Sequence, residues 1–250
     1  IHGTAAHALD YDDVSMLAIC HPSAPVLSAL LAAAPWDTID GHTLCEAHAI
    51  GTEAMIRMGQ AMGLRHYEIG FHATATLGLF GAVTAIARLR GLDLKTTHTS
   101  LAIAASMAGG MRLNFGTDVK PLHVGLAAAN AIKSADWATA GLSASRADLF
   151  APQGILATLS GRGSWGWPDG LTLGQPFAIV QPGFERKRFP GCYMLHKIMA
   201  LGIEIAREQI SLAQIERIDV IMPRGGTRPL IHPAPITGKE ALFSIPYAVL

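Results

Sequence analysis

A lysine and a histidine stand one helical turn apart at a predicted helix start between Asn114 and Gly125. Proline is favoured at the first helical position, so Pro121 predicts a helix start with Lys120 at its cap. The free N–H groups of a first turn attract an anion. Lys120 adds a positive charge, and His123 can move a proton near neutral pH. This stretch therefore indicates a site that holds a carboxylate and stabilises charge developing beside it. The alternative is a surface lysine capping a helix beside a core histidine.

A second group of titratable residues follows the first predicted helix. His7 and Asp10 are three residues apart and share one helix face. Asp10, Asp12 and Asp13 place three carboxylates within four residues, and these stay in water or raise one pKa unless a cation or a histidine lies close. The pattern lacks the central glycine and final glutamate of a calcium loop, so we expect no metal site. We interpret His7 as a helix-packing residue, and Asp12 and Asp13 as helix caps or solvated acids.

Further candidates stand beside helix starts or in a basic run. His21 precedes a helix that Ser23 is expected to cap. His72 precedes a helix rich in small residues. Lys187 lies between Arg186 and Arg188. It is either a residue of the site or part of a basic run exposed to solvent.

Apolar spacing predicts the elements that must position these residues. Helices are expected over 43–62, closed by Gly63, from about 74 to 88, ended by Gly91, and over 93–109, 122–142 and 194–207. Gly78 and Gly81 inside the second of these cost about 1 kcal/mol each, which indicates close backbone approach. Residues 160–168 are a turn-rich connection, and 215–222 alternate like a strand. We predict a mainly α fold, with a helical domain over 1–182 and part of a smaller α+β lid domain over 183–250.

Composition excludes several classes of partner. Half of the 250 residues are hydrophobic and 15% are charged, which predicts that much surface is buried against other subunits or missing chain. Together with the Gly/Ala helix faces, this composition favours a homodimer. Nineteen basic residues balance nineteen acidic ones, which argues against nucleic acid or an anionic membrane. Apolar runs fall short of the roughly 18 residues of a membrane span. Three distant cysteines predict a reducing, cytoplasmic setting. A start at Ile1 and an end inside an apparent element suggest a piece of a longer protein.

Six motifs, taken in order and with similar gaps, resemble the MmgE/PrpD family. They are His7-Ala8-Leu9-Asp10-Tyr11-Asp12-Asp13, His21-Pro22-Ser23, Gly70-Phe71-His72-Ala73-Thr74, Lys120-Pro121-Leu122-His123, Arg188-Phe189-Pro190 and Phe243-Ser244-Ile245-Pro246-Tyr247. The resemblance covers the chain nearly end to end. It implies a helical domain with an α+β lid, usually dimeric, an active site between them, and no metal or organic cofactor. Family members make or break a bond beside a carboxylate of a small polyacid, and they include 2-methylcitrate dehydratase, cis-aconitate decarboxylase and iminodisuccinate epimerase.

The resemblance also implies roles for individual residues. Pocket positions of the family fall on Asp10, His21, His72, Lys120 and Lys187, and a position supplied by the lid falls on Tyr247. His72 or His21 is the expected base, with Asp10 orienting an imidazole, and Tyr247 or a second histidine is the expected acid. Lys187 with Arg188 is expected to bind a second carboxylate, and His123 to bind substrate.

Two departures from the family pattern bear on the reaction. Val14 replaces a threonine, and Cys192 replaces a histidine of the decarboxylase branch, for which His196 is a possible substitute. Both weaken a decarboxylase assignment. We therefore predict a dehydratase-like lyase acting on a small di- or tricarboxylate. The alternatives are an epimerase of a small dicarboxylate and a catalytically inactive helical dimer subunit.

Overall fold

A computed structural model describes residues 1–161 and 165–249 of the chain. These residues form ten α-helices: α1 (His2–His7), α2 (Ser23–Ala33), α3 (Gly41–Glu68), α4 (Ala73–Arg90), α5 (Leu94–Ala105), α6 (Val119–Thr139), α7 (Ile155–Leu159), α8 (His196–Arg207), α9 (Gly238–Ala241) and α10 (Ile245–Val249). Short 3-10 turns cover Arg112–Asn114, Tyr193–Leu195 and Leu212–Gln214. The prediction of a mainly α fold is confirmed. Among the helices described, none is both long enough and apolar enough to cross a membrane.

Helix α4 runs through the centre of the main core and crosses α3 at very short range. A Cβ atom added to Gly81 would lie 2.7 Å from the carbonyl oxygen of Gly51, and one added to Gly78 would lie 2.6 Å from Cγ of Pro25. The predicted close approach at these two glycines is confirmed. Nearly every residue of α4 up to Ala87 is buried, so its N-terminal end, where His72 is the N-cap, is held rigidly inside the molecule.

The helix ends follow the sequence signals with small shifts. Gly91 ends α4 in the left-handed conformation, as predicted, whereas α3 continues to Glu68 through a non-helical Gly63. Helix α6 begins at Val119, so Lys120 lies inside its first turn and not at its cap. Proline fits anywhere in a first turn because the first four N–H groups have no helical partner, which explains the error. Ser23 is likewise the first residue of α2 and not its cap.

The predicted strand over 215–222 is wrong. In the described ranges the only β interactions are isolated bridges, which join Val14 to Glu185, Ser15 to Cys20 and Phe71 to Met111. A strand needs a neighbour to pair its N–H and C=O groups. Residues 215–222 have no such partner within the described ranges, and 215–221 are exposed. The α+β character of the predicted lid is therefore not observed. The boundary at 183 remains a prediction, and 162–164 of the predicted connection lie outside the described residues.

A buried ion pair on α3 anchors the loop that leads to Lys187. Glu53 accepts hydrogen bonds from Arg57 Nε at 2.8 Å, from the N–H of Gly174 at 3.0 Å and from the N–H of Ala178 at 2.6 Å. Arg57 in turn donates to the carbonyl of Pro176 at 2.9 Å. With this loop fixed, the Val14–Glu185 bridge aligns the following residues beside the acidic loop after α1.

Candidate active site

Asp10 lies at the centre of a buried charged cluster. It follows α1 in a left-handed conformation with φ of 49°, and its side chain is 4% exposed. Its Oδ1 accepts hydrogen bonds from Lys120 Nζ and Lys187 Nζ, both at 2.9 Å, and its carbonyl accepts a further one from Lys187 at 2.7 Å. Burial alone would raise the pKa of Asp10, but the two ammonium groups outweigh it and hold that pKa well below its usual value. Asp10 is therefore ionised.

His7 connects the lysine of α6 to a second carboxylate. Lys120 Nζ lies 2.7 Å from His7 Nε2, and His7 Nδ1 lies 2.6 Å from Asp12 Oδ2. An ammonium group can only donate, so His7 Nε2 accepts and His7 Nδ1–H donates to Asp12. Burial and the charge of Lys120 lower the pKa of His7, so the ring is neutral. Interpreting His7 as a packing residue and Asp12 as a solvated acid was wrong, because both belong to the cluster.

The cluster is balanced in charge. The ammonium groups of Lys120 and Lys187 face the carboxylates of Asp10 and Asp12, with Lys187 Nζ 3.6 Å from Asp12 Oδ1. Lys120 Nζ also lies 5.4 Å from the ring centre of Phe115, where a cation is attracted to the aromatic face. With neutral imidazoles, the four ionised side chains have no net charge.

His21 presents an unprotonated nitrogen to this cluster. Its Nδ1 lies 2.8 Å from the carbonyl of Asp13, so Nδ1–H donates there and Nε2 carries the lone pair. That Nε2 is 3.9 Å from Asp10 Oδ1. Burial lowers the pKa of His21 to about 3. The N–H of Ser23 donates to Asp13 at 3.1 Å, so Asp13 caps α2, as predicted for an acid of this loop.

His72 provides a second imidazole on the other side. Its Nδ1 lies 3.2 Å from His123 Nδ1, and its Nε2 is buried with no hydrogen-bond partner in the described part of the chain. Burial, followed by the charge of Lys120, lowers the pKa of His72 well below its ordinary value. His123 lies behind His72, away from the cavity described next.

These groups surround a small cavity of about 60 Å³. Its wall includes Asp10, His21, Tyr67, His72, Lys120 and Cys192. Burial, together with the nearby charge of Asp10, raises the pKa of Cys192 to about 12, and burial also raises that of Tyr67. The thiol and the phenol therefore stay protonated and can donate hydrogen bonds into the cavity. Cys192 is buried.

Besides His123, three predicted residues lie off this cavity wall. Lys187 contacts Asp10 from behind, with a side chain that is 0% exposed. Arg188 is exposed, and its guanidinium lies 5.2 Å from the ring centre of Phe189. Tyr247 is 60% exposed. The structure thus brings Asp10, His21, His72 and Lys120 together, adds Lys187 behind them, and leaves Arg188 and Tyr247 outside.

Sequence reasoning missed His7, Asp12 and Tyr67. The three-residue spacing of His7 and Asp10 was a usable signal for His7, because it put both on one face. No local pattern marks Tyr67, which comes from the last turns of α3.

Four of these side chains have the ligand types of a metal centre. Atoms of His7, Asp10, Asp12 and His21 lie within 4.8 Å of one another. However, an ammonium group already occupies His7 Nε2 and Asp10 Oδ1. A divalent ion bound there would face two positive charges at hydrogen-bond distance, so the residues fit an ion-pair network better than a metal site.

The geometry suits proton transfer beside a stabilised anion. The neutral imidazoles of His21 and His72 line one small cavity, and Lys120 places a positive charge on its wall. Neutral imidazoles can act as bases, and fixed charges in a buried site stabilise negative charge that develops during reaction.

Comparison with known proteins supplies the family. Residues 1–168 match the MmgE/PrpD N-terminal domain. The chain is 28% identical to cis-aconitate decarboxylase of Homo sapiens over 258 residues, covering 99% of this chain and 53% of that protein. It is 34% identical to the Mus musculus enzyme over 151 residues, covering 58% of this chain and 31% of the relative. A cis-aconitate decarboxylase-like protein of Aspergillus oryzae is 29% identical over 141 residues, covering 53% of this chain and 29% of that protein.

The chain therefore spans about half the length of the human relative. The family match nevertheless covers well over half of the chain and includes the segments that contain Asp10, His21, His72 and Lys120. From the motifs, the helical fold and this match, we conclude that the chain belongs to the MmgE/PrpD family.

Proposed function

We propose that this chain carries the active site of a lyase that acts on a small di- or tricarboxylate at a carbon next to a carboxylate. The observation that carries the proposal is the buried pair of lysines around Asp10, with the imidazoles of His21 and His72 lining the same cavity as Lys120. Bond cleavage at such a carbon places negative charge on the neighbouring carboxylate. Lys120 stabilises that charge, and an imidazole exchanges the proton.

Decarboxylation is the first candidate reaction. It is supported by relatives that are named cis-aconitate decarboxylases, one of which aligns with 99% of this chain. In this reaction the C–CO₂ bond breaks, CO₂ leaves, and the electron pair delocalises into the remaining conjugated carboxylate beside Lys120. His72 Nε2–H then gives a proton to carbon. Neither step requires a residue outside the described cluster.

Dehydration is the second candidate, and a separate observation supports it. Loss of water needs a base for the proton and an acid for the leaving hydroxyl. Tyr67 and Cys192 are weak acids that burial keeps protonated, and they stand on the same wall as His21 and His72. The expected dehydratase activity therefore remains a proposal beside decarboxylation.

One NMR experiment separates these reactions. The protein is incubated in D₂O with cis-aconitate and, separately, with citrate and 2-methylcitrate. Decarboxylation releases CO₂ and places one deuterium in the product, whereas dehydration of a hydroxy acid gives an alkene. Deuterium exchange beside a carboxylate of a chiral dicarboxylate such as iminodisuccinate, without an unsaturated product, would indicate the epimerase alternative.

A matched pair of variants tests the site itself. Lys120→Met removes the ammonium group from the cavity wall, and Lys133→Met makes the same change at an exposed position of α6. We expect the first to abolish turnover and the polyacid-induced rise in melting temperature, and the second to preserve both. Equal thermal shifts for Lys120→Met and wild type would refute the proposed site and favour an inactive helical subunit.

We also propose that the protein is a homodimer. Leu122, Leu126 and Trp137 of α6 are between 43% and 49% exposed, and together they leave apolar surface on one helix. Light scattering at micromolar concentration tests this, and a monomeric mass would contradict it.

A further inference from the structure

His72 and His123 share one hydrogen bond between their Nδ1 atoms. The atoms lie 3.2 Å apart, and the ring centres 5.4 Å apart. Two neutral imidazoles can form this bond only if one Nδ1 is protonated and the other is not. A proton on His72 Nδ1 leaves His72 Nε2 as a base. A proton on His123 Nδ1 makes His72 Nε2–H an acid. The position of one proton thus decides what His72 offers to the cavity.

The two rings occupy different surroundings. His72 is 2% exposed and lines the cavity, whereas His123 is 8% exposed and stands behind it. His7 and Phe115 also pack on His72, with ring centres 5.6 Å and 5.0 Å away. A proton taken up by His72 would create a second cation close to Lys120. Moving a proton on to His123 places that charge on the more exposed of the two rings.

The backbone at Gly110 fixes both members of the pair. Its carbonyl accepts the N–H of His72 at 3.0 Å. A Cβ atom at Gly110 would lie 3.4 Å from Cγ of His123 and 2.7 Å from Cβ of Ala75. The absence of a side chain at Gly110 leaves room for the His123 ring next to His72, so the backbone at this position supports the pair.

We propose that His123 is a positioning residue that relays the proton of His72 and does not bind substrate. When His72 Nε2 accepts a proton, its Nδ1 proton passes to His123 Nδ1, and His72 remains neutral. For donation to a carbanion the transfer runs in reverse. The bonds balance, because the N–H bond at His72 Nε2 forms as a C–H bond of the substrate breaks, and the N–H bond at His123 Nδ1 forms as the one at His72 Nδ1 breaks. The positive charge then lies on His123. This inference rests on the proposed function, but its first test does not.

The first test uses no substrate. Histidine ring nitrogens are labelled with ¹⁵N, and long-range ¹H–¹⁵N spectra identify which nitrogens carry protons. We expect complementary protonation of His72 and His123 in the wild type and a changed nitrogen pattern for His72 in His123→Ala. An unchanged His72 pattern in this variant would overturn the proposal. Because the spectra are recorded without ligand, the result is independent of which reaction the protein performs.

The second test uses the turnover assay. In His123→Asn an amide keeps a hydrogen-bonding group near His72 but cannot carry a proton. We expect kcat to fall about 100-fold, within the usual range of general acid–base contributions, with KM little changed. In His123→Ala, added imidazole should restore part of the lost rate. His98→Ala changes a half-buried histidine that lies outside the cluster and contacts the carbonyl of Ala147, and it should match wild type.

Two kinetic outcomes would overturn the relay. Wild-type kcat in His123→Asn would show that no proton passes through this position. A raised KM with unchanged kcat would mean that His123 binds substrate after all. Absence of turnover in the wild type would instead refute the proposed function, while the nitrogen spectra would still decide the state of the pair.

Discussion

The Lys187→Met substitution tests the central cluster most directly. The ammonium group of Lys187 donates to Asp10 Oδ1 at 2.9 Å and to the Asp10 carbonyl at 2.7 Å. Its side chain is 0% exposed. Methionine keeps most of the apolar stem and removes the charge. The substitution therefore leaves Asp10 with one ammonium partner, Lys120, and leaves its carbonyl without this donor.

The expected loss follows from the burial of the pair. Removing one partner of a buried ion pair costs about 3–5 kcal/mol. Lys120 still holds the same oxygen at 2.9 Å, so we expect the lower end, about 3 kcal/mol. For a chain of this size each kcal/mol corresponds to about 2–4 °C, which gives a fall in melting temperature of about 6–12 °C.

The assay is thermal and urea denaturation at pH 7, followed by circular dichroism. The pH matters because the pKa of Asp10 is lowered in the folded state. The ion pair then stabilises the fold above the unfolded pKa of the carboxyl, and this contribution is lost as the pH falls through the folded pKa. Lys133→Met, which is exposed, should change stability by less than about 0.5 kcal/mol.

A double-mutant cycle completes this test. The double variant Asp10→Asn with Lys187→Met should lose about 1–3 kcal/mol less stability than the sum of the two single variants. The reason is that each single substitution already weakens the same ion pair. If Lys187→Met melts like Lys133→Met, the ammonium group is not buried against Asp10, and the cluster described here is wrong.

Three further predictions concern stability. Gly81→Ala should destabilise the fold by about 1–2 kcal/mol in urea denaturation, because the new Cβ meets the carbonyl of α3, whereas Gly41→Ala, with nothing within 4 Å of its Cβ, should be neutral or slightly stabilising. Acidification from pH 6 to 4 should destabilise the wild type more than His21→Asn, by about 1.4 kcal/mol per pH unit, since His21 takes up a proton at its ordinary pKa when unfolded but only near 3 when folded; parallel stability curves would contradict this. Glu53→Gln should cost about 1.5–3 kcal/mol and make its anchored loop more sensitive to limited proteolysis, and wild-type resistance would count against the anchoring.

Local signals predicted the helices well because helix ends are decided by nearby residues. Gly91 can adopt the left-handed conformation that ends α4, and small residues within α4 permit its close packing. The predicted strand over 215–222 is not observed because alternating hydrophobicity describes only the residues of one strand and not the strand it would pair with. That partner is a neighbour that no local pattern reveals.

The site was predictable only in part because it joins distant segments. Asp10 and Lys187 are 177 residues apart, so nothing local distinguishes buried Lys187 from exposed Arg188 beside it. In the sequence His7 resembles an ordinary helix residue, and only its contacts with Lys120 and Asp12 in the fold show that it belongs to the cluster. The family resemblance supplied Asp10, His21, His72 and Lys120, but its extension to Tyr247 is not supported by that residue's exposed position.

The balanced charge of the cluster has a thermodynamic consequence for ligand binding. Two positive and two negative side chains already compensate each other, so an arriving dianion changes the net charge of the site from zero to minus two. The neighbouring imidazoles supply the readiest compensation, because a nearby anion raises their affinity for protons. Under the proposed function, binding of a polyacid would draw hydrogen ions from the buffer, and its calorimetric heat would vary with the buffer's ionisation enthalpy.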